Sequence, residues 1–209
     1  MLKRIIFDID GTLIDKVDFN ELVKSELSAF GYEYDEIQLS NYLYAMNTYE
    51  SEFIRYNFKD YFDYIRELSK IDISKEYMKK FLEDAGKFVP GYVHPDVILT
   101  LQYLKKKYEL VVLTNFFRCV QYSRLKNSGI HEFFDEFYGG DLAIKPMSEA
   151  YEYAIGNRKK SECIMIGDSK SLDYEGAICY GMDALLFDRD LEYQSETKIN
   201  NFHELRKRF

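Results

Sequence analysis

The sequence predicts an α/β protein: a doubly wound parallel sheet with an all-helical segment inserted after its first strand. Two observations carry the prediction. Apolar runs near 2–8, 109–115, 162–168 and 183–188 are short and rich in aliphatics, and those after the first alternate with segments of helical length. Between about 16 and 88 the pattern is helical throughout, with no strand signal.

The elements follow in order. Leu2–Asp8 reads as a buried strand with aliphatics on both faces. A turn follows at Gly11–Thr12. Asp18 can cap a helix carrying Leu22, Val23, Leu27 and Phe30 at helical spacing, and Gly31 supplies its stop. Further helical patterns cover roughly 35–47, 49–69 and 74–87 before Pro90–Gly91 breaks the chain. A helix at about 95–107 precedes the strand ELVVLTN (109–115). The next helix, about 117–128, ends at Gly129 and leads to a short strand near Glu136–Tyr138. A helix at about 148–157, the strand ECIMIGD (162–168), a helix near 171–180 ending at Gly181 and the strand DALLFD (183–188) complete the alternation. The expected division is a core domain, 1–15 plus 89–209, and a helical domain, 16–88.

Composition narrows the functions available. The 209 residues suffice for a proper core without staples. A formal net charge of −8 and a pI near 5.1 argue against a general polyanion binder, so no nucleic-acid partner is expected. The three cysteines, Cys119, Cys163 and Cys179, form no CxxC and no metal-ligand spacing; this fits a reducing cytoplasm. Residues 1–15 are too short and too acidic for a signal peptide, and no run approaches the roughly 20 apolar residues of a membrane helix. Aromatics crowd the 16–88 segment without an interleaved basic pattern, which reads as core filler and not as a stacking platform for bases.

In an open parallel sheet, ligands bind beyond the carboxyl ends of the strands. The first strand delivers Asp8, Asp10, Gly11 and Thr12 there; the second ends at Thr114–Asn115. The third is followed by GGDLAIKP with Lys145, and the fourth by Gly167, Asp168, Ser169 and Asp173. Alone, a DxD at a strand end is more often a solvated turn, a Lys-Pro means almost nothing, and GDS is an N-cap. Together and in this order they are a constellation. Four acids in contact disfavour one another's ionisation unless a cation neutralises them. Carboxylates and carbonyls without His or Cys suit a hard divalent ion, Mg²⁺ first.

These stretches resemble a known family. FDIDGTL (7–13), LTN (113–115), KP (145–146) and IGDSKSLD (166–173) are similar to the four motifs of the haloacid dehalogenase (HAD) superfamily, and the resemblance covers the whole chain. The helical segment is similar to that family's C1-type cap. One departure is Leu172, where many relatives have Asn. The resemblance implies a HAD-like Rossmannoid core and a phosphatase working through an aspartyl-phosphate. Asp8 would be the nucleophile and Asp10 the acid that protonates the leaving oxygen and then activates water. Mg²⁺ would be held by Asp8, the backbone carbonyl of Asp10, Asp168 and, directly or as a further shell, Asp173. Thr114, Asn115 and Lys145 would bind phosphoryl oxygens. The dehalogenase branch lacks an acid at the position of Asp10, so Asp10 favours phosphoryl chemistry.

With only about thirty residues between Asn115 and Lys145 there is no room for a second cap, and a lid of one helical insertion favours a small phosphorylated metabolite as substrate. Arg55, Lys59 and Arg66 in the insertion either meet its polar end or lie on a solvated helix face. Three rival readings stand: a sugar-phosphate phosphomutase with the same aspartate pair, a phosphorelay receiver, and a non-catalytic phosphate-binding protein. Oligomeric state is not legible.

Overall fold

The computed structural model describes residues 1–88, 92–191 and 197–209, the side chain of Phe88 excepted. Ile5, Ile6 and Phe7 expose no surface, as expected of β1 (Arg4–Phe7) in the middle of a sheet covered on both faces. Four helices follow: α1 (Asn20–Ala29), α2 (Glu36–Glu52), α3 (Phe58–Ser69) and α4 (Lys75–Phe88). The core then resumes with α5 (Pro95–Leu104), β2 (Glu109–Leu113), α6 (Arg118–Asn127), β3 (Glu136–Tyr138), α7 (Ser148–Ile155), β4 (Cys163–Gly167), α8 (Gly176–Tyr180), β5 (Asp183–Phe187), β6 (Lys198–Ile199) and α9 (Phe202–Arg208).

Among the described residues the strands form one parallel sheet in the order 3-2-1-4-5-6. Phe7 is level with Val112 on one side and Ile166 on the other, so residues just past these three strands emerge side by side. Alternation along β1 sends Ile5 and Phe7 to one face and Ile6 to the other. The first face packs with Leu101 of α5 and Phe202 of α9; the second packs with Tyr151 and Ala154 of α7. Arg4 closes the opposite, amino-terminal edge. It is 5% exposed, and its guanidinium donates to Glu109, Glu136 and the Ala154 carbonyl.

The helical insertion has its own apolar centre, built around Tyr42, Tyr49, Tyr61 and Tyr77, none of which exposes surface. That cluster continues into the core through Phe117, Val120 and Ile144. Main chain joins the two parts as well: Tyr56 N–H donates to the Gly140 carbonyl at 2.7 Å, and Ile144 N–H donates to the Ile54 carbonyl at 2.9 Å.

Several boundaries differ from the sequence pattern. The expected helices 35–47 and 49–69 divide elsewhere: α2 runs on to Glu52, and Asn57 caps α3 through Lys59 and Asp60 N–H. Asp18 accepts from Asn20 N–H at 2.8 Å, two residues ahead of the first helical turn it was expected to cap. The helix expected at 171–180 opens as a wide, π-type turn over Lys170–Glu175 before α8. β6 and α9 carry too few residues to give a periodic signal and were not anticipated. The break at Pro90–Gly91 lies outside the described residues. Among the described residues, no helix is long and apolar enough to cross a membrane.

Candidate active site

Past the ends of β1 and β4, Asp8, Asp168 and Asp173 bring carboxylate oxygens within 4.8 Å of one another. Lys145 Nζ lies between two of them, 2.6 Å from Asp8 Oδ1 and 2.6 Å from Asp173 Oδ1. Asp168 Oδ2 meets Lys16 Nζ at 2.6 Å. Lys145, Asp8 and Asp173 are all buried, so these charges meet at low dielectric. Burial pushes the Asp8 carboxyl well up, against the pull of Lys145. Burial also raises Asp168, against Lys16. For Lys145, burial draws the ammonium down, but Asp173 and Asp8 outweigh it and hold it charged. Three acids thus face two ammonium groups, which leaves negative charge in excess.

That excess is the test of whether the residues fit the cation their types suggest. The donors are oxygens only, they converge, and they are under-neutralised by protein cations. A hard divalent ion such as Mg²⁺ fits this set, and Asp8, Asp168 and Asp173 are the side chains that would hold it.

Two glycines make the convergence possible. Gly11 has φ +77°, and a Cβ there would sit 2.7 Å from Asp168 Cγ. Gly167 lies directly under Asp173; a Cβ would sit 2.6 Å from that residue's own Cβ. Asp173 is further fixed by Ser169 N–H at 3.0 Å. Gly167→Ala is therefore expected to displace Asp173 and to cost about 1–3 kcal/mol of overpacking, measurable by urea unfolding. An unchanged unfolding midpoint would refute this reading of the close approach.

Asp10 lines the same cavity but points elsewhere. Its carboxylate accepts from Arg124 Nη1 at 2.9 Å and Gln121 Nε2 at 2.8 Å, and Arg124 Nη2 lies 2.7 Å from Asp10 Oδ1. Arg124 exposes no surface, and its guanidinium also donates to Gln121 Oε1 at 2.6 Å. Thr114 Oγ1 accepts from Gln121 at 3.1 Å and donates to the Asn115 carbonyl at 3.2 Å. Asn115 grips the backbone of Lys145: its Oδ1 accepts the Lys145 N–H at 2.8 Å and its Nδ2 donates to the Lys145 carbonyl at 3.3 Å. The same Nδ2 donates to Glu50 Oε2 at 2.6 Å, a carboxylate from the helical insertion.

Asp8, Asp10, Thr114, Asn115, Lys145, Asp168 and Asp173 all line one cavity of about 560 Å³, whereas Thr12 is not among its lining residues. The insertion contributes Phe19, Asn47, Glu50 and Tyr61 to its walls. Arg55, Lys59 and Arg66 are not among the lining residues; Lys59 pairs with Asp63 at 2.7 Å and Arg66 pairs with Asp72. Sequence reasoning missed Lys16, Glu50, Gln121 and Arg124. Gln121 and Arg124 were within reach, because their i, i+3 spacing aims both at the strand end that delivers Thr114. Glu50 carried no signal.

Comparison with known proteins identifies a family and a fold. A family model described as haloacid dehalogenase-like hydrolase matches residues 2–181. The glyceraldehyde 3-phosphate phosphatase of Methanothermobacter thermautotrophicus (strain ATCC 29096 / DSM 1053 / JCM 10044 / NBRC 100330 / Delta H) is 31% identical over 206 residues, covering 91% of this chain and 88% of that protein. YfnB of Bacillus subtilis (strain 168), named as a HAD-hydrolase, is 31% identical over 134 residues, covering 62% of this chain; the match spans about half, 54%, of YfnB. Among solved structures, a HAD phosphatase from Thermococcus onnurineus superposes with a TM-score of 0.69 at 26% identity, covering 99% of this chain and 97% of that one. An L-2-haloacid dehalogenase from Xanthobacter autotrophicus shares the fold, with a TM-score of 0.72 at 12% identity over 99% of this chain and 98% of that one.

Proposed function

The chain belongs to the haloacid dehalogenase-like hydrolases, and on that premise we propose that it is a Mg²⁺-dependent phosphatase that cleaves a small phosphorylated metabolite through an aspartyl-phosphate on Asp8. The observation that carries the reading is the buried Asp8–Lys145–Asp173 cluster with a second acid, Asp10, in the same cavity. The similarity to a glyceraldehyde 3-phosphate phosphatase supports a small phosphate ester as substrate. Residues 1–15 and 89–209 act as the catalytic core and 16–88 as the lid, in a cytoplasmic enzyme.

In this reading an Asp8 oxygen attacks phosphorus, and the bond to the leaving oxygen breaks with its electron pair going to that oxygen. Asp10, having turned from Arg124 and taken up a proton from solvent, supplies that proton to the leaving oxygen. Water then attacks the phosphoryl group, Asp10 accepts its proton, and Asp8 is released as carboxylate with free phosphate. Asp10 must leave Arg124 and Gln121 to reach the leaving oxygen, so this ion pair exchanges during turnover. Lys145 and Thr114 sit to bind phosphoryl oxygens, with Lys145 offsetting charge beside the nucleophile; Asn115 fixes the Lys145 backbone and so serves the same end. Mg²⁺, held by Asp8, the Asp10 carbonyl, Asp168 and Asp173, would supply further charge stabilisation to the phosphoryl group.

The fold is shared with dehalogenases, but Asp10 separates the two chemistries, since halide leaves without a proton. The test is phosphate release from a panel of phosphorylated metabolites, with Mg²⁺ and with chelator. Release with Mg²⁺ and a fall of at least about a hundredfold in chelator are expected. Halide release from a haloacid, isomerised sugar phosphate in place of free phosphate, or no reaction with any ester would overturn the reading.

A further inference from the structure

The cations that line the cavity are each paired with an acid. Lys145 serves Asp8 and Asp173, Lys16 serves Asp168, Arg124 serves Asp10, and Lys170 lies 3.7 Å from Glu175. Glu50 differs. The partners of its carboxylate are neutral: Asn115 Nδ2 at 2.6 Å on one oxygen and the Tyr56 hydroxyl at 2.8 Å on the other. Tyr56 is 4% exposed, and burial, reinforced by Glu50 itself, holds its hydroxyl well above the usual range, so it donates and stays a donor.

We infer that Glu50 is a specificity-determining residue, selecting phosphate esters whose organic part is neutral and hydroxyl-bearing over those that carry a carboxylate. The inference rests on the phosphatase reading above. Each Glu50 oxygen accepts one hydrogen bond from the protein and keeps lone-pair capacity for another. A substrate hydroxyl can donate to it. A substrate carboxylate cannot, and it brings a second negative charge to a wall where Tyr61 and Phe116 lower the dielectric. Among the described residues every cation lining the cavity is already paired before substrate binds. A substrate carboxylate must therefore compete with a protein acid for it, and rejection is built from repulsion at Glu50 as well as from a missing donor. Glu50 reaches the cavity from α2 of the helical insertion, and its bond to Asn115 couples it to the loop of Lys145.

The experiment compares kcat/KM for glycerol 3-phosphate and 3-phosphoglycerate, which share a three-carbon frame and differ in the carboxylate. The wild-type ratio should favour the neutral ester by about tenfold or more. Glu50→Gln should shrink that ratio by about tenfold, and Glu50→Asp, which keeps the charge, should largely retain it. A purely structural loss through Asn115 lowers both substrates together and leaves the ratio alone. A wild-type ratio that favours the acid, or one that Glu50→Gln leaves unchanged, would overturn the inference while the phosphatase reading survives. Failure of both esters, and of every other phosphate ester, would overturn the phosphatase reading and this inference with it.

Discussion

Asp8→Asn is expected to abolish phosphate release, by about ten-thousandfold or more, while leaving the fold at least as stable. The first half follows from chemistry: an amide oxygen does not form the acyl-phosphate that splits the reaction into two easier displacements. The second half follows from electrostatics. Burial beside Asp168 and Asp173 raises the Asp8 carboxyl, so at neutral pH its ionised form is disfavoured by folding. A group whose folded value lies above its unfolded value opposes folding once the pH passes the unfolded value. Asn keeps the shape, still offers Lys145 an acceptor, and removes the charge; Lys145 retains Asp173. Thermal unfolding in chelator, alongside acid-quench trapping of labelled phosphate on the protein, checks both halves. A substantially lower melting temperature, or trapped phosphate in the variant, would refute the nucleophile assignment or its energetics.

Asp10→Asn should behave differently. Turnover should fall by about a hundred- to ten-thousandfold, with the phospho-enzyme still formed, slowly, and hydrolysed poorly. The fold should suffer as well. Arg124 exposes no surface and loses the carboxylate of Asp10, keeping its bond to Gln121; removing one side of such an ion pair costs up to about 3 kcal/mol, less here because Asp10 is about a third exposed. The two variants therefore separate by opposite signs in stability as well as by the step they block. Rapid-quench kinetics and urea unfolding on one preparation read both. Near-normal turnover would remove Asp10 from the acid/base role.

Much of this was legible in the chain. The strand ends could be read because a parallel sheet delivers its residues to one edge in a fixed order, and Asp8, Thr114, Lys145, Asp168 and Asp173 occupy that edge. The tyrosine-rich core of the insertion was legible for a similar reason, since rings without interleaved cations have only each other to pack on. Orientation was not. The facing of Asp10 onto Arg124 and Gln121 depends on how α6 crosses the sheet, which periodicity does not encode. Glu50 was invisible because its role comes from a pairing across 65 positions of sequence. The division of α2 from α3 was misplaced because apolar residues continue through the break, and a single Asn57 cap decides it.

The join between the insertion and the core has a genetic consequence. Ile54, Tyr56, Gly140 and Ile144 meet there through amide and carbonyl groups, which every residue except proline possesses in full. Alanine at 54, 56 or 144 would remove neither bond; Gly140 alone resists drift, because a Cβ there would sit 2.6 Å from Tyr56 Cδ2 and 2.9 Å from the Phe116 carbonyl oxygen. Only proline at 56 or 144 deletes a donor. The register between roof and floor is thus written into the chain's path, so the residues that choose the substrate are free to diverge while the distance from them to Asp8 is inherited.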